Sequence, residues 1–468
     1  MTDSLDIDTQ DARRLAGALI SLIDGARHRV NPGGPSEVVK RITDHVGCAL
    51  ADMPNVSTRF DSWDHVNLDR GVHSYLERWS PDAEWFGMTG NQHARADLLD
   101  MLASADQFGA YRLGAVDYAT AATGPDEAVE IVHFGLVASR APDGEPVVLA
   151  LRGPVEHSPD PGCILRVLAA NRETATAVRT EIEQLVRARD VYRGQLLSFD
   201  VSEHRGNELV SFLPRPELDA HDVVLPAGVL DAIERRVVRS AEQGDRLRAH
   251  GQHLKRGVML YGPPGTGKTH TVRYLMSRLS DTTVLVLSGR ALTVMLARAV
   301  SIARRLQPSV LVLEDVDLVA EERGHHGSTP VLFELLNRID GVDADADVTF
   351  LLTTNRVDMI ERALSERPGR VDLAVEIPKP DADGRERLLR LYAEGAELDL
   401  PDASRIVADT DGVTASFMRE LVRRAVSEQL DRVAEDARVR LTEPMLREAL
   451  DELLEQRNKL TRVIIGGQ

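Results

Sequence analysis

Lys268 closes a run of residues with an unusual spacing, Gly262-Pro263-Pro264-Gly265-Thr266-Gly267-Lys268-Thr269. The run fits G-x-x-x-x-G-K-[ST], a loop that cradles phosphates. Its glycines let backbone N–H groups wrap phosphate oxygens with no Cβ in the way. The lysine then reaches the β- and γ-phosphates of a nucleoside triphosphate, and the Thr269 hydroxyl ligates Mg2+. Gly257–Tyr261 ahead of the loop reads as an apolar strand, and His270–Leu279 behind it reads as a helix. The N-terminus of that helix brings a positive dipole end to the same place. His270 opens the helix and is counted with the loop as a nucleotide contact. The chain has only five lysines (Lys40, Lys255, Lys268, Lys379 and Lys459). One of them at this position argues against a chance glycine-rich turn.

Three more groups fit the same chemistry. Val310–Leu313 is an apolar run that ends in Glu314 and Asp315, two carboxylates placed to handle a metal and a water. Thr353-Thr354-Asn355 ends the next apolar run, and a side-chain amide there can hold the attacking water. Arg367-Pro368-Gly369-Arg370 offers guanidinium groups that stabilise charge on a transferring phosphoryl group.

Positioning these groups requires a sheet. From about Asp222 onward short apolar runs (Val258–Tyr261, Val284–Leu287, Val310–Leu313 and Val348–Leu352) alternate with helical stretches. Such runs predict a parallel sheet buried on both faces, with the ligand at the C-terminal ends of its strands. After Pro378-Lys379-Pro380 the chain reads as helical to its end. Residues 1–200 read differently. Helical periodicity covers Asp11–Arg27, Ser36–Leu50 and Glu173–Asp190. Between them Tyr111–Ala119, Glu127–Ser139, Glu145–Arg152 and Cys163–Ala170 read as strands of an antiparallel meander, split by turn-forming Pro, Gly and Asp residues. Pro214 and Pro216 mark a boundary. The expected organisation is an α+β domain over 1–200, a linker over 201–221, an α/β nucleotide-binding subdomain over 222–378 and a helical subdomain over 379–468.

Taken in order, these four elements resemble the AAA family of ATPases over about a third of the chain. The resemblance implies ATP and Mg2+ as cofactors, ATP hydrolysis, and a homo-oligomeric ring, usually a hexamer, with ATP at subunit interfaces. It assigns Lys268 and Thr269 to phosphate and Mg2+, Glu314 and Asp315 to Walker B, Asn355 to sensor 1, and Arg367 and Arg370 to arginine fingers acting on the neighbour's ATP. Glu314 also becomes a metal ligand. Thr414-Ala415 matches the helix start of the lid near the adenine. The acid pair runs Glu-Asp where most of the family has Asp-Glu, an order similar to that of the mitochondrial inner-membrane AAA translocases. From Gly289 to Ser309 there is no aromatic residue, so the aromatic pore loop that grips polypeptides has no counterpart. Leu292, Val294, Met295 and Leu296 are the sizeable apolar residues there, and helical spacing places most of them in the core.

Composition bounds the function. The 468 residues carry 56 Lys+Arg against 74 Asp+Glu, a net charge of −18, which disfavours broad binding to nucleic acid or anionic membranes. Cys48 and Cys163 are too few for a disulfide framework or a zinc cluster. The acidic start at Met1–Gln10 shows no signal peptide, and no apolar run approaches the roughly 20 residues of a membrane span. These features predict a cytoplasmic protein. The arginines from Arg235 to Arg248 alternate with Glu234, Glu242 and Asp245 and read as a solvated helix face. Trp63, Trp79 and Trp85 read as core, His65, His73 and His93 as structural, and His325-His326 as part of a solvated loop. The expected function is an ATPase that remodels or moves a protein partner bound through residues 1–200. The alternative is a nucleotide-dependent assembly or signalling module whose ring state is the output.

Overall fold

The computed structural model describes residues 36–89, 97–109, 111–155, 162–199, 210–317, 343, 345–356, 371–430 and 438–464. The expected helix Asp11–Arg27, His93, His325-His326, Arg367 and Arg370 lie outside these residues. Contacts divide the chain into two units, residues 1–191 with 202–209, and residues 192–201 with 210–468.

The first unit is built on a sheet of seven strands: β1 (Val56–Asp61), β2 (Trp85–Met88), β3 (Leu113–Gly114), β4 (Asp117–Ala122), β5 (Ala128–Arg140), β6 (Pro146–Arg152) and β7 (Gly162–Ala169). Their order is β1-β7-β6-β5-β2-β3, with β4 also paired to β5. The antiparallel run β5-β6-β7 is the expected meander. Helices cover both faces, which is why β6 reads as the unbroken apolar run Val147–Leu151 rather than an alternation. Val147, Leu149 and Leu151 pack with Leu68, Val72, Tyr75, Val178 and Ile182 from helices α2 (His65–Trp79) and α4 (Arg172–Ala188). Val148 and Ala150 face Val38, Ile42, Met101 and Leu102 from helices α1 (Glu37–Val46) and α3 (Leu98–Phe108). Gly71 allows α2 and α4 to approach closely, because a Cβ there would sit 2.5 Å from Val186 Cγ2.

Trp63 is buried, and Trp79 and Trp85 pack against the same core. His65 lies in the interior, its Nε2 2.8 Å from the Val132 carbonyl, and burial drives its pKa down to about 4. It is therefore a neutral structural histidine. His73 is half-exposed and its pKa is raised, chiefly by its hydrogen bond to Asp69.

The second unit holds β8 (Leu196–Phe199), β9 (Val210–Leu213), β10 (Arg256–Tyr261), β11 (Thr283–Leu287), β12 (Ser309–Leu313), β13 (Val348–Thr354) and β14 (Leu373–Glu376), in the order β14-β10-β13-β12-β11-β8-β9. All neighbours are parallel except β8 and β9. The alternating strand–helix pattern thus gives the mixed α/β fold. The sheet begins earlier than the expected boundary at residue 200, and the span 201–221 is not simply a linker. β8 pairs with β11, β9 pairs back on β8, and Leu196, Leu197 and Phe199 are buried.

Beyond residue 379, among the described residues, helices Ala382–Tyr392, Ser404–Asp409, Ala415–Leu430 and Glu443–Ile464 form their own core around Leu389, Ile406, Met418, Leu421 and Leu450. This part is not wholly helical. β15 (Glu397–Asp399) and β16 (Arg440–Thr442) make a small parallel pair. Within the Arg235–Arg248 stretch, Arg235 and Arg239 pair with Asp231, Arg236 with Asp372 and Arg248 with Asp245. No helix among the described residues is long and apolar enough to cross a membrane.

Candidate functional site

β10 lies between β13 and β14 and delivers the chain into the glycine-rich loop at its C-terminal end. Gly262, Gly265 and Gly267 have φ of 147°, 79° and 111°, a region where side chains are strained. Lys268 is the first residue of the helix Lys268–Arg278 and is only 6% exposed. Its Nζ donates to the carbonyls of Gly262 (2.8 Å) and Pro263 (2.9 Å). Burial lowers its pKa, and the charges of Asp315 and Asp317 oppose that shift. Thr266 donates to the Pro263 carbonyl at 2.9 Å, which ties the loop to itself beside Pro264. Thr269 is exposed in the first helical turn. His270 is engaged elsewhere, with Nε2 2.9 Å from the Asp222 carbonyl.

The acids follow β12, whose neighbours are β11 and β13. The Glu314 N–H donates to Leu287 at 3.0 Å, continuing the β11–β12 ladder. Burial raises the Glu314 pKa, Asp315 raises it further, and Arg273 opposes. Asp315 has φ of 49°, a left-handed conformation that Asp tolerates better than most residues. Its N–H is held by Thr353 Oγ1 at 2.9 Å. Asn355, at the end of β13, directs Nδ2 to Asp315 Oδ1 and to Asp317 Oδ2, each at 3.4 Å. Its backbone N–H donates to Asp317 Oδ1 at 3.1 Å. Parallel β12 and β13 thus bring together Asp315 and Asn355, two of the residues singled out in the sequence.

Two residues of this cluster were not assigned roles from sequence. Asp317 is 6% exposed and takes two bonds from Asn355. Thr353 fixes the Asp315 backbone. Their signal was present, an acid two residues past Asp315 and a hydroxyl two before Asn355, but it acquires meaning only once β12 and β13 are adjacent.

The four-helix segment reaches the loop directly. Ser416 N–H donates to the Gly265 carbonyl at 3.0 Å, and a Cβ on Gly265 would meet Ser416 Oγ and Thr414 Oγ1 at 3.1 Å. Beside them Val224, Leu225, Pro226, Thr266, Pro378 and Ala415 line a small, mainly apolar cleft.

Residues 258–379 match the family described as ATPase family associated with various cellular activities (AAA). The chain therefore contains an AAA domain. Among curated relatives, it is 30% identical over 247 residues to ATP-dependent zinc metalloprotease FtsH 2 of Symbiobacterium thermophilum, covering 49% of this chain and 39% of the relative. It is 30% identical over 184 residues to proteasome-activating nucleotidase 1 of Halobacterium salinarum, covering 36% of this chain and 45% of the relative. Proteasome-activating nucleotidase 2 of the same organism is 27% identical over 299 residues, 58% of this chain and 71% of the relative. The chain spans less than half the length of the first two.

Proposed function

We propose that this protein is an Mg2+-dependent ATPase whose AAA domain drives remodelling or movement of a protein partner held by the first unit. The observation that carries the reading is the convergence of buried Lys268 with the partly buried Asp315 and Asn355 at the C-terminal ends of adjacent parallel strands. In this reading the glycine-rich loop wraps the phosphates and Lys268 neutralises their charge. Asp315 and Asn355 orient the water that attacks the γ-phosphorus as the bond to the departing ADP oxygen breaks, and Asp315 takes up its proton.

The donors suit a hard, oxygen-seeking cation. Thr269 supplies a hydroxyl, and Glu314 is a partly buried carboxyl crowded by Asp315 that a divalent charge would relieve. Mg2+, when bound, stabilises charge on the phosphates. Arg367 and Arg370 act in trans as arginine fingers in a homo-oligomeric ring, which we take to be a hexamer. The Glu-Asp order of the acid pair aligns the chain with the mitochondrial inner-membrane AAA translocases in Walker B alone. A cytoplasmic site of action fits the two free thiols, Cys48 and Cys163.

A second reading, that ring state rather than force is the output, is favoured by one stretch. Leu292, Met295 and Leu296 are buried at 2%, 2% and 5% exposure, leaving Val294 as the exposed apolar side chain at 57%. No aromatic grip stands there. The test is turnover of the full chain, measured alone and with proteins captured by an Asp315→Asn variant. Stimulation by a captured protein supports remodelling. ATP-dependent assembly without such stimulation supports the second reading, and absence of ATP binding refutes both.

A further inference from the structure

We infer that Asp317 is a positioning residue that fixes which end of the Asn355 side chain faces the attacking water. The inference rests on the ATPase reading above. Asp317 accepts from Asn355 twice, the backbone N–H at Oδ1 (3.1 Å) and Nδ2 at Oδ2 (3.4 Å), so one carboxylate grips both the main chain and the side chain of a single residue. Asp315 Oδ1 accepts from the same Nδ2 at 3.4 Å. An ionised carboxylate only accepts hydrogen bonds. The amide end between Asp315 and Asp317 must therefore be the NH2 group, since the opposite flip would set the amide carbonyl against two anions. Asn355 consequently presents Oδ1, an acceptor, on its other side.

That orientation decides the chemistry. A water beside Asn355 donates one hydrogen to Oδ1 and the other to the Asp315 carboxylate. Its lone pair is then left free to point at phosphorus. Were the amide flipped, Asn355 would donate to the water, tie up that lone pair and turn a proton toward the phosphate. Asp315 and Asp317 each offer the amide one bond at 3.4 Å, the long end of the hydrogen-bond range. Asp317 adds what Asp315 does not, a bond to the backbone from which the side chain springs. Asp317 is 6% exposed, and its charge also acts on Lys268.

The test is a double-mutant cycle in the full chain. Asp317→Asn replaces one acceptor oxygen with a donor and frees Asn355 to flip. We expect kcat to fall by about 10- to 100-fold, as for other residues that orient a reacting group's partner, while ATP affinity measured by calorimetry stays within about threefold. In an Asn355→Ala background the same change should lower kcat no further, because the residue it acts through is gone. Asp317→Ser, smaller and still an acceptor, gives the same test should the Asn variant not fold. Additive losses in the double variant, or loss of ATP affinity in step with kcat, overturn the inference. Wild-type protein and Lys268→Ala are run alongside. If wild-type turnover does not depend on Lys268, it is the ATPase reading that fails.

Discussion

The Lys268 ammonium lies 2.8 Å from the carbonyl oxygen of Gly262, so the cation that ends the loop is bonded to the residue that begins it. The loop is closed by its own charge. Lys268→Ala removes that closure together with the charge available to phosphate. We expect turnover to vanish and nucleotide affinity to fall steeply, since the lysine charge holds the ground-state phosphates and acts more strongly on the charge that develops in the transition state. Calorimetric titration with ATP and a phosphate-release assay check both. Hydrolysis near the wild-type rate would refute the site.

The two acids should separate on mutation. Asp315→Asn keeps the shape and should bind ATP yet not hydrolyse it. Glu314→Gln should weaken the Mg2+ dependence of turnover. If only Glu314→Gln traps ATP, the roles are reversed.

Glu314 also predicts a pH effect on stability. Its pKa is raised in the fold, so its charge costs stability above the ordinary glutamate range, and the cost fades as pH falls through that range. Glu314→Gln should therefore raise the Tm at neutral pH, with the gain shrinking toward about pH 4. A gain that is flat or grows on acidification would contradict this origin.

Asp97 performs two tasks in the first unit. Oδ1 accepts from Leu99 N–H at 2.8 Å and caps helix α3, while Oδ2 pairs at 2.8 Å with Arg166, whose side chain is 8% exposed. Among the described residues the Nε and Nη1 of Arg166 are buried without hydrogen-bond partners, so Asp97 bears most of the burden of satisfying that cation. Asp97→Ala should destabilise the unit by about 2 kcal/mol or more, from cap and ion pair together. Asp97→Asn retains the cap and should lose less. Equal urea midpoints for the two variants would show that the pair contributes nothing.

Deletions should reveal where the ATPase sheet begins. A chain starting at Tyr192 keeps β8 and β9, whereas one starting at Asp222 loses both. Burial of Leu196, Leu197 and Phe199 makes the difference about 5 kcal/mol, at about 1.5–3 kcal/mol for each buried side chain. Indistinguishable unfolding curves for the two would rule out a stabilising role for these strands.

Legibility followed locality. The loop from Gly262 to Thr269 is one contiguous pattern whose chemistry is complete in itself, so it could be read directly. Glu314, Asp315 and Asn355 were readable because βα alternation sends such residues to one sheet end. Asp317 was not, since its role depends on how β12 registers with β13. β8 escaped because Leu196–Phe199 is four residues lying outside the alternation, with Pro214 and Pro216 suggesting a break further on. β15 and β16 are three-residue strands far apart in sequence, too short for any period to show.

The bond from Ser416 N–H to the Gly265 carbonyl makes the helix Ala415–Leu430 a lever with its fulcrum on the loop. Sixteen residues at about 1.5 Å each give an arm of about 24 Å. A tilt of about 10° at Gly265 then sweeps the far end through about 4 Å. Leu430 stands at that end, 58% exposed. A tilt of this arm about Gly265 would therefore be largest at Leu430, an exposed apolar side chain.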